Sequence, residues 1–321
     1  MITTGIGGYF ELELPDHGGF LHDDGVLLNS GRNALEYVLR ALGEVKGLFI
    51  PYYTCDVVME PVEKLGLPYT FYHINPKLEI EDLPSLESGE YLIYTNYFGI
   101  KDEYIRTLAD KYGCQLIVDN AQAWFAEPLK GVSTIFSPRK YVGIPEGGVA
   151  YSPKQMEVSA FERDLSFERC SHLLKRIDLG SSEGYADFKM NSKQLVGQPV
   201  KRMSRLTERM LSSIDFDVVK TYRRGNFEHM HTHLKKSNLF DMPPLDSFAC
   251  PMVYPYLTEN AALRQKLIEN KVFVATYWPN VKEWTTPEML EYALMDKLIP
   301  IPVDQRYGIK EMELIEDIVL K

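Results

Sequence analysis

The chain has few cysteines, no long apolar run and no excess of positive charge, and each absence removes a class of function. Its four cysteines, Cys55, Cys114, Cys170 and Cys250, are scattered over 321 residues, with no Cys-x-x-Cys pair and no histidine at zinc-site spacing. They read as reduced thiols, and they indicate neither a disulfide framework nor a metal site. No apolar run approaches the roughly 20 residues that a membrane helix needs. The opening MITTGIGGYFELELPDHGG also lacks the basic and apolar regions of a signal peptide, so the expected location is the cytoplasm, away from any membrane. Lys and Arg number 35 against 45 Asp and Glu, a formal net charge of -10. That balance argues against nonspecific binding to nucleic acid or anionic lipid, and leaves a small anionic ligand compatible with the chain. The basic residues gather locally, at Lys201, Arg202, Arg205 and Arg209 and again at Arg223 and Arg224. They read as solvated helix faces, with a phosphate-facing rim as the alternative. Internal repeats and low-complexity tracts are also lacking.

What is present is a 45% hydrophobic content, enough for an ordinary core, arranged as alternating strand-like and helix-like segments. The run VLL at 26–28 precedes Ser30, a good helix N-cap, and Ala34, Leu35, Val38, Leu39 and Leu42 then recur at helical spacing. LFI at 48–50 precedes a helical stretch around Val57 to Leu65, which Pro61 delays and Gly66 ends. YLIYT at 91–95 leads to a helix over Asp102 to Tyr112 closed by Gly113, and QLIV at 115–118 runs into Asp119. This order predicts an α/β fold, a mostly parallel sheet covered by helices, with ligands beyond the carboxyl ends of the strands. From residue 204 the chain changes character. SRLTERMLSSIDFDVVKTYRRGNFEHMHTHL reads as one long helix or two in succession, and the remainder alternates strands (ACPMVYPYL, VFVATYW) with helices (ENAALRQKLIEN, GIKEMELIEDIVL). The expected division is a large domain over 1–203, then a linker helix and a smaller C-terminal α+β domain over 204–321.

Three segments carry chemistry. In NSGRNALEYVLRAL, residues 29–42, a helix N-terminus offers unpaired N–H groups, and Gly31 in the first turn lets an anion approach the backbone. The same residues also suit a plain N-cap. In LIVDNAQAW, residues 116–124, Asp119 at the end of a buried strand needs a cation or several donors; an Asx turn onto the following amides would also serve it. Gln122 can point into the same pocket. In SPRKYVGIPEGGVAY, residues 137–151, Pro138 and Pro145 restrict the backbone around Lys140, and Gly147-Gly148 permits a tight reversal into the next strand. A lysine there is either placed for chemistry or salt-bridged beside a hairpin. Pyridoxal 5'-phosphate would use all three features: its phosphate takes the cup, its ring nitrogen stays protonated beside a carboxylate, and its aldehyde condenses with a lysine amine.

LNSGRNALEYVLRAL, IPYYTC, NYFGI, VDNAQAW and FSPRKYVGIPEGG together resemble the DegT/DnrJ/EryC1/StrS aminotransferases, a branch of the fold type I pyridoxal phosphate enzymes. The likeness covers residues 28–151 well and the rest loosely. It implies that Lys140 is the amine that condenses with the cofactor and that Asp119 pairs with the pyridine nitrogen. It further implies that Gln122 bonds the ring hydroxyl, that Ser137 touches the phosphate, and that the Gly31, Arg32 and Asn33 backbone cradles it. The activity implied is transfer of an amino group, from glutamate or a similar donor, to a nucleotide-linked keto sugar. The chain would act as a homodimer whose subunits complete each other's sites. A decarboxylase, racemase or aldolase using the same cofactor, or a non-catalytic descendant that binds a sugar or a protein, are the alternatives. The chain departs from the family pattern in three places. Cys55 stands where a ring-stacking aromatic is usual, leaving Tyr53 as the stacking candidate if it is not core packing. Only two residues separate Ser137 from Lys140, and the G-Y-N-Y-R element has no clean counterpart.

Two further motifs carry less. His229, His231 and His233 in EHMHTH place His229 and His233 on one helical face, but with no third ligand apparent in sequence they read as structural or solvated. GIGG at 5–8 is no dinucleotide loop, because YFELEL follows where a helix should start; it reads as a flexible terminus.

Overall fold

Seven short runs pair into one sheet: β1 (Val26–Leu28), β2 (Gly47–Pro51), β3 (Tyr69–Tyr72), β4 (Glu90–Thr95), β5 (Leu116–Asn120), β6 (Ser133–Phe136) and β7 (Gly148–Tyr151). The structure is a computed structural model and describes residues 8–321, so GIGG lies outside the described residues except for Gly8. The strand order is β1-β7-β6-β5-β4-β2-β3. From β6 through to β3 the pairs are parallel, and β7 alone runs antiparallel to both of its neighbours. The inner strands are apolar on both faces, and successive residues enter opposite cores. Leu92, Tyr94, Leu116, Val118 and Phe136 face one core, while Ile93, Ile117 and Ile135 face the other. By the same alternation Asp119 lies on the face of Ile117, at the carboxyl end of its strand.

Helices supply the covering layers. α1 (Gly31–Leu42) buries Ala34, Leu35, Val38, Leu39 and Leu42 against the second core. α2 (Met59–Lys64) follows a short 3-10 turn, with Pro61 in its first turn and Gly66 in left-handed backbone beyond its end. α3 (Asp102–Tyr112) ends at Gly113. After β7 come α4 (Ser171–Leu179) and α5 (Tyr185–Gln194), a pair of helices in contact that periodicity did not single out. Residues 202 and 203 still bond to β1, through a bridge from Arg202 to Leu28 and a bond from Met203 N to Leu27 O.

The helical stretch beyond 204 is two helices, α6 (Arg205–Ser212) and α7 (Phe216–Leu234), each capped by its own side chain, Ser204 and Asp215. There follow β8 (Val253–Leu257), α8 (Leu263–Glu269), α9 (Val281–Trp284), α10 (Leu290–Lys297), β9 (Leu298–Pro302) and α11 (Ile309–Leu320). The expected strand VFVATYW is not one. Its Phe273 is exposed, and β8 takes Leu298–Pro302 as its partner instead, with Pro255 opposite Pro300. In a two-stranded ribbon each strand keeps a free edge, so LIPIP can pair despite two prolines that would bar it from a sheet interior. Among the described residues no helix is long and apolar enough to cross a membrane.

Candidate active site

The carboxyl ends of β1, β4, β5 and β6 bring the expected residues to one edge of the sheet. Ser30 caps α1: its Oγ accepts from Asn33 N at 3.1 Å, and Ala34 N makes the first intrahelical bond, to Ser30 O. The amides of Gly31 and Arg32 precede that bond. Gly31 faces Ser137, since a Cβ on Gly31 would stand 3.2 Å from Ser137 Cβ. Gly148 explains half of the Gly-Gly pair by close approach: a Cβ there would lie 2.2 Å from Ser30 O. Gly147 explains the other half with φ of 130°. The cup is therefore built from β7's first residues, Ser137 and the first turn of α1.

Asn33 departs from the expected role. Its amide is taken by Ser30, and its buried side chain donates to Asn29 Oδ1 at 2.7 Å and Pro199 O at 2.9 Å. It fastens α1 to the segment before α6, which leaves Gly31, Arg32 and Ser137 as the candidates for a phosphate cradle.

Asp119 is buried, and its carboxylate accepts one hydrogen bond from Ala121 N at 2.8 Å, the Asx turn that the sequence also allowed. Burial raises its pKa, with the Lys140 ammonium and the Ala121 N–H opposing. The Asx turn is therefore present: one oxygen serves it, and burial still outweighs the Lys140 charge and this bond. Lys140 closes a 3-10 turn over Pro138–Lys140 and is exposed. Its charge acts on Asp119 and on Cys55.

Gln122 is fully buried. Its Oε1 accepts from Phe98 N at 2.9 Å, which orients the amide and leaves Nε2 without a partner. The NYFGI segment is what holds it. Phe98 sits at φ 57°, and Gly99 at φ 71° lets Gln122 O approach to within 2.9 Å of where a Cβ would be. A strained non-glycine residue here fits a site whose surroundings fix it.

Tyr53 has the surroundings of a core residue. It is fully buried, stacked on Tyr97 at 5.7 Å and edge-on to Trp278 at 5.2 Å, so core packing wins over cofactor stacking. Cys55 lies nearer the lysine. Burial pushes its thiol up to about 11, with Lys140 opposing, so it is a neutral thiol at pH 7.

Sequence reasoning passed over Arg139. It is largely buried, donates to Ser192 Oγ at 3.4 Å, and lies over Phe188 with the guanidinium 5.7 Å from the ring centroid. Burial, Arg32 and Arg169 lower its pKa to about 10, against the pull of Glu146, so it stays charged at pH 7. Arg32 itself approaches Glu60 at 3.2 Å. Arg139 and Arg32 thus lie within each other's field, with Arg32 already paired to Glu60. The basic runs, expected as solvated faces with a rim as the alternative, pair within the chain: Arg209 approaches Asp16, Arg202 donates to Phe161 O, and Arg224 donates to Phe248 O and Ala249 O.

Beyond Lys140 opens a cleft of about 570 Å3, walled by the turn at 138–144, α4, α5 and the C-terminal part. Arg139, Lys140, Arg176, Arg223 and Arg306 line it, against Asp304 as the carboxylate among the described lining residues. Arg306 is neutralised by Asp304, with contacts of 2.6 and 2.7 Å. Arg223 is held by Met252 O, Tyr141 O and Gln305 Oε1. The remaining cations leave the cleft basic in an acidic chain.

No family model matches the chain, and no curated protein matches it. Solved structures do. S. venezuelae DesV in complex with a ketimine intermediate superposes with a TM-score of 0.62 at 16% identity, over 92% of this chain and 83% of that one. NtdA from Bacillus subtilis with bound cofactor PMP gives 0.63 at 14%, over 92% and 73%. A DegT DnrJ EryC1 StrS aminotransferase from Brucella abortus gives 0.59 at 15%, over 92% and 84%. The fold of this chain is that of the pyridoxal phosphate fold type I aminotransferase structures of the DegT/DnrJ/EryC1/StrS kind.

Proposed function

We propose that the protein is a pyridoxal 5'-phosphate-dependent aminotransferase that aminates a keto sugar linked to a nucleotide. The observation that carries this reading is the pairing of a buried, cation-seeking Asp119 with an exposed Lys140 from neighbouring strand ends, each within the other's field. The residues present fit the cofactor: Gln122 offers a buried donor with no protein partner, and Gly31 leaves the space beside Ser137 that a side chain would fill.

When bound, pyridoxal phosphate supplies an electron sink for a carbanion at the substrate's α carbon. Asp119 would hold a proton at the ring nitrogen, a cation beside it favouring the carboxylate. Gln122 Nε2 would donate to the ring hydroxyl oxygen. Gly31, Arg32, Ser137 and Arg139 would hold the phosphate. Lys140 Nζ would carry a proton to and from the substrate carbon. The basic cleft receives an anionic substrate, either the carboxylates of glutamate or the diphosphate of a nucleotide sugar. The neighbours include DesI with its TDP-sugar product, which supports the second.

The 1–203 and 204–321 division is supported by the ties of Arg202 and Met203 to β1 and by the start of α6 at Arg205. A homodimer is supported by the apolar side chains that α4 and α5 turn to solvent, among them Leu174, Ile177, Phe188 and Met190. The absence of a spanning helix among the described residues agrees with a cytoplasmic enzyme.

The test is to add glutamate to the reconstituted protein, follow the cofactor's absorption, and then supply a nucleotide-linked keto sugar and look for its amine by mass spectrometry. Transamination predicts conversion of the band by glutamate and its return with the keto sugar. Asp119→Asn should keep the cofactor and lower turnover about 100-fold or more. Full turnover in that variant, or a band unmoved by any amino donor, would contradict the reading.

A further inference from the structure

Helix α7 carries His229 and His233 one turn apart, so both imidazoles project from one face. In sequence they lack a third ligand. The fold provides it: α11 packs along α7 and brings Glu316 to the pair, with Oε2 3.4 Å from His229 Nε2 and Oε1 3.0 Å from His233 Nδ1. The rings stack with centroids 4.4 Å apart and an interplanar angle of 18°, and one donor atom from each of the three residues lies within 4.8 Å of the others.

A tetrahedral ion bound at about 2.0–2.2 Å by nitrogen and oxygen holds its ligands roughly 3.3 Å apart. The two carboxylate contacts fall on either side of that spacing, so one ion can engage the Glu316 carboxylate and both imidazoles once the stacked rings turn about their Cβ–Cγ bonds to aim at it. His229 Nε2 is moreover buried and makes no hydrogen bond, its approach to Glu316 lacking the required geometry. An unpaired buried ring nitrogen is costly, and a metal bond would satisfy it. His233 is 43% exposed, which gives the ion a way in.

We propose that His229, His233 and Glu316 form a binding site for a divalent transition metal of the zinc type, with water in the fourth position. Two imidazoles and a carboxylate suit Zn2+ or Co2+ better than Mg2+ or Ca2+, which prefer all-oxygen shells. None of the three lines the cleft beside Lys140. The site's effect is to staple the C-terminal helix to α7, so bound metal raises the stability of that part of the chain. The remaining histidine of the run, His231, faces Phe227 and Tyr254 and takes no part.

The experiment uses the full chain, loaded with cofactor and stripped of metal with a chelator. It is titrated with Zn2+ by calorimetry and with Co2+ by visible absorption, and Tm is read with and without Zn2+. The proposal predicts one ion per chain at micromolar concentration or below, a Co2+ spectrum of tetrahedral type, and a rise in Tm. His233→Ala should weaken binding at least roughly tenfold and remove the Tm rise while leaving the far-UV dichroism unchanged. Should that variant misfold, Glu316→Gln serves in its place with the same expected loss. No binding at micromolar Zn2+, or binding and Tm rise that survive in these variants, overturns the proposal.

Discussion

Gln122 is oriented by a bond it makes to the protein: because Phe98 N occupies its Oε1, the buried amide nitrogen is the end left without a protein partner. Asp119, Gln122 and Lys140 could be singled out in sequence because each follows a strand-like run. What surrounds them could not, because Phe98 and Arg139 depend on backbone strain and burial that no spacing reveals. For Tyr53 the sequence left stacking and core packing both open, its aromatic partners Tyr97 and Trp278 being distant in sequence. Glu146 offers a test at this scale. It is fully buried, its Oε1 accepts from Ser204 N at 2.9 Å, and burial raises its pKa to about 7 from 4.5. Between those values the folded chain holds a proton that the unfolded chain has released. The contribution is therefore complete below about pH 4.5 and is lost as pH rises through 7, by up to roughly 3 kcal/mol. Glu146→Gln keeps an acceptor for Ser204 and removes the titration. Its unfolding free energy, measured by urea denaturation, should gain on the wild type from pH 5 to pH 8, and a constant difference would contradict the raised pKa.

Among the elements, those with a clean period were readable and those without were not. The helix of Asp102 to Tyr112 and the strands at 26–28, 48–50 and 91–95 sit where alternation and caps put them. β9 was hidden by its prolines, and VFVATYW looked like a strand because apolar β-formers are no proof of a partner. α1 shows how an element makes a site. Its cap by Ser30 both starts the helix and arranges the amides that an anion would meet. Ser30→Ala should cost about 0.5–2 kcal/mol in denaturant unfolding. It should also weaken binding of pyridoxal 5'-phosphate more than that of pyridoxal, which lacks the phosphate. Equal losses for the two ligands would place the phosphate elsewhere.

For the molecule as a whole, a net charge of -10 surrounds a cleft whose lining is basic, a local patch that the charge total could not reveal. The same holds for hydrophobicity. Average composition is ordinary, yet α4 and α5 expose Ile177 at 81% and Met190 at 64%, in a region of the sequence with no clear motif. If this face joins two copies, Ile177→Asp should shift the protein from dimer to monomer in sedimentation velocity without altering its dichroism; a wild type that sediments as a monomer would refute that interface. The central claim is that Lys140 is the amine that takes the cofactor, and borohydride reduction tests it most directly. Protein reconstituted with pyridoxal 5'-phosphate, reduced, digested and sequenced by mass spectrometry should carry the pyridoxyl mass on Lys140, and the Lys140→Ala variant should carry none. A label on another lysine, or an equal yield in the variant, would contradict the account.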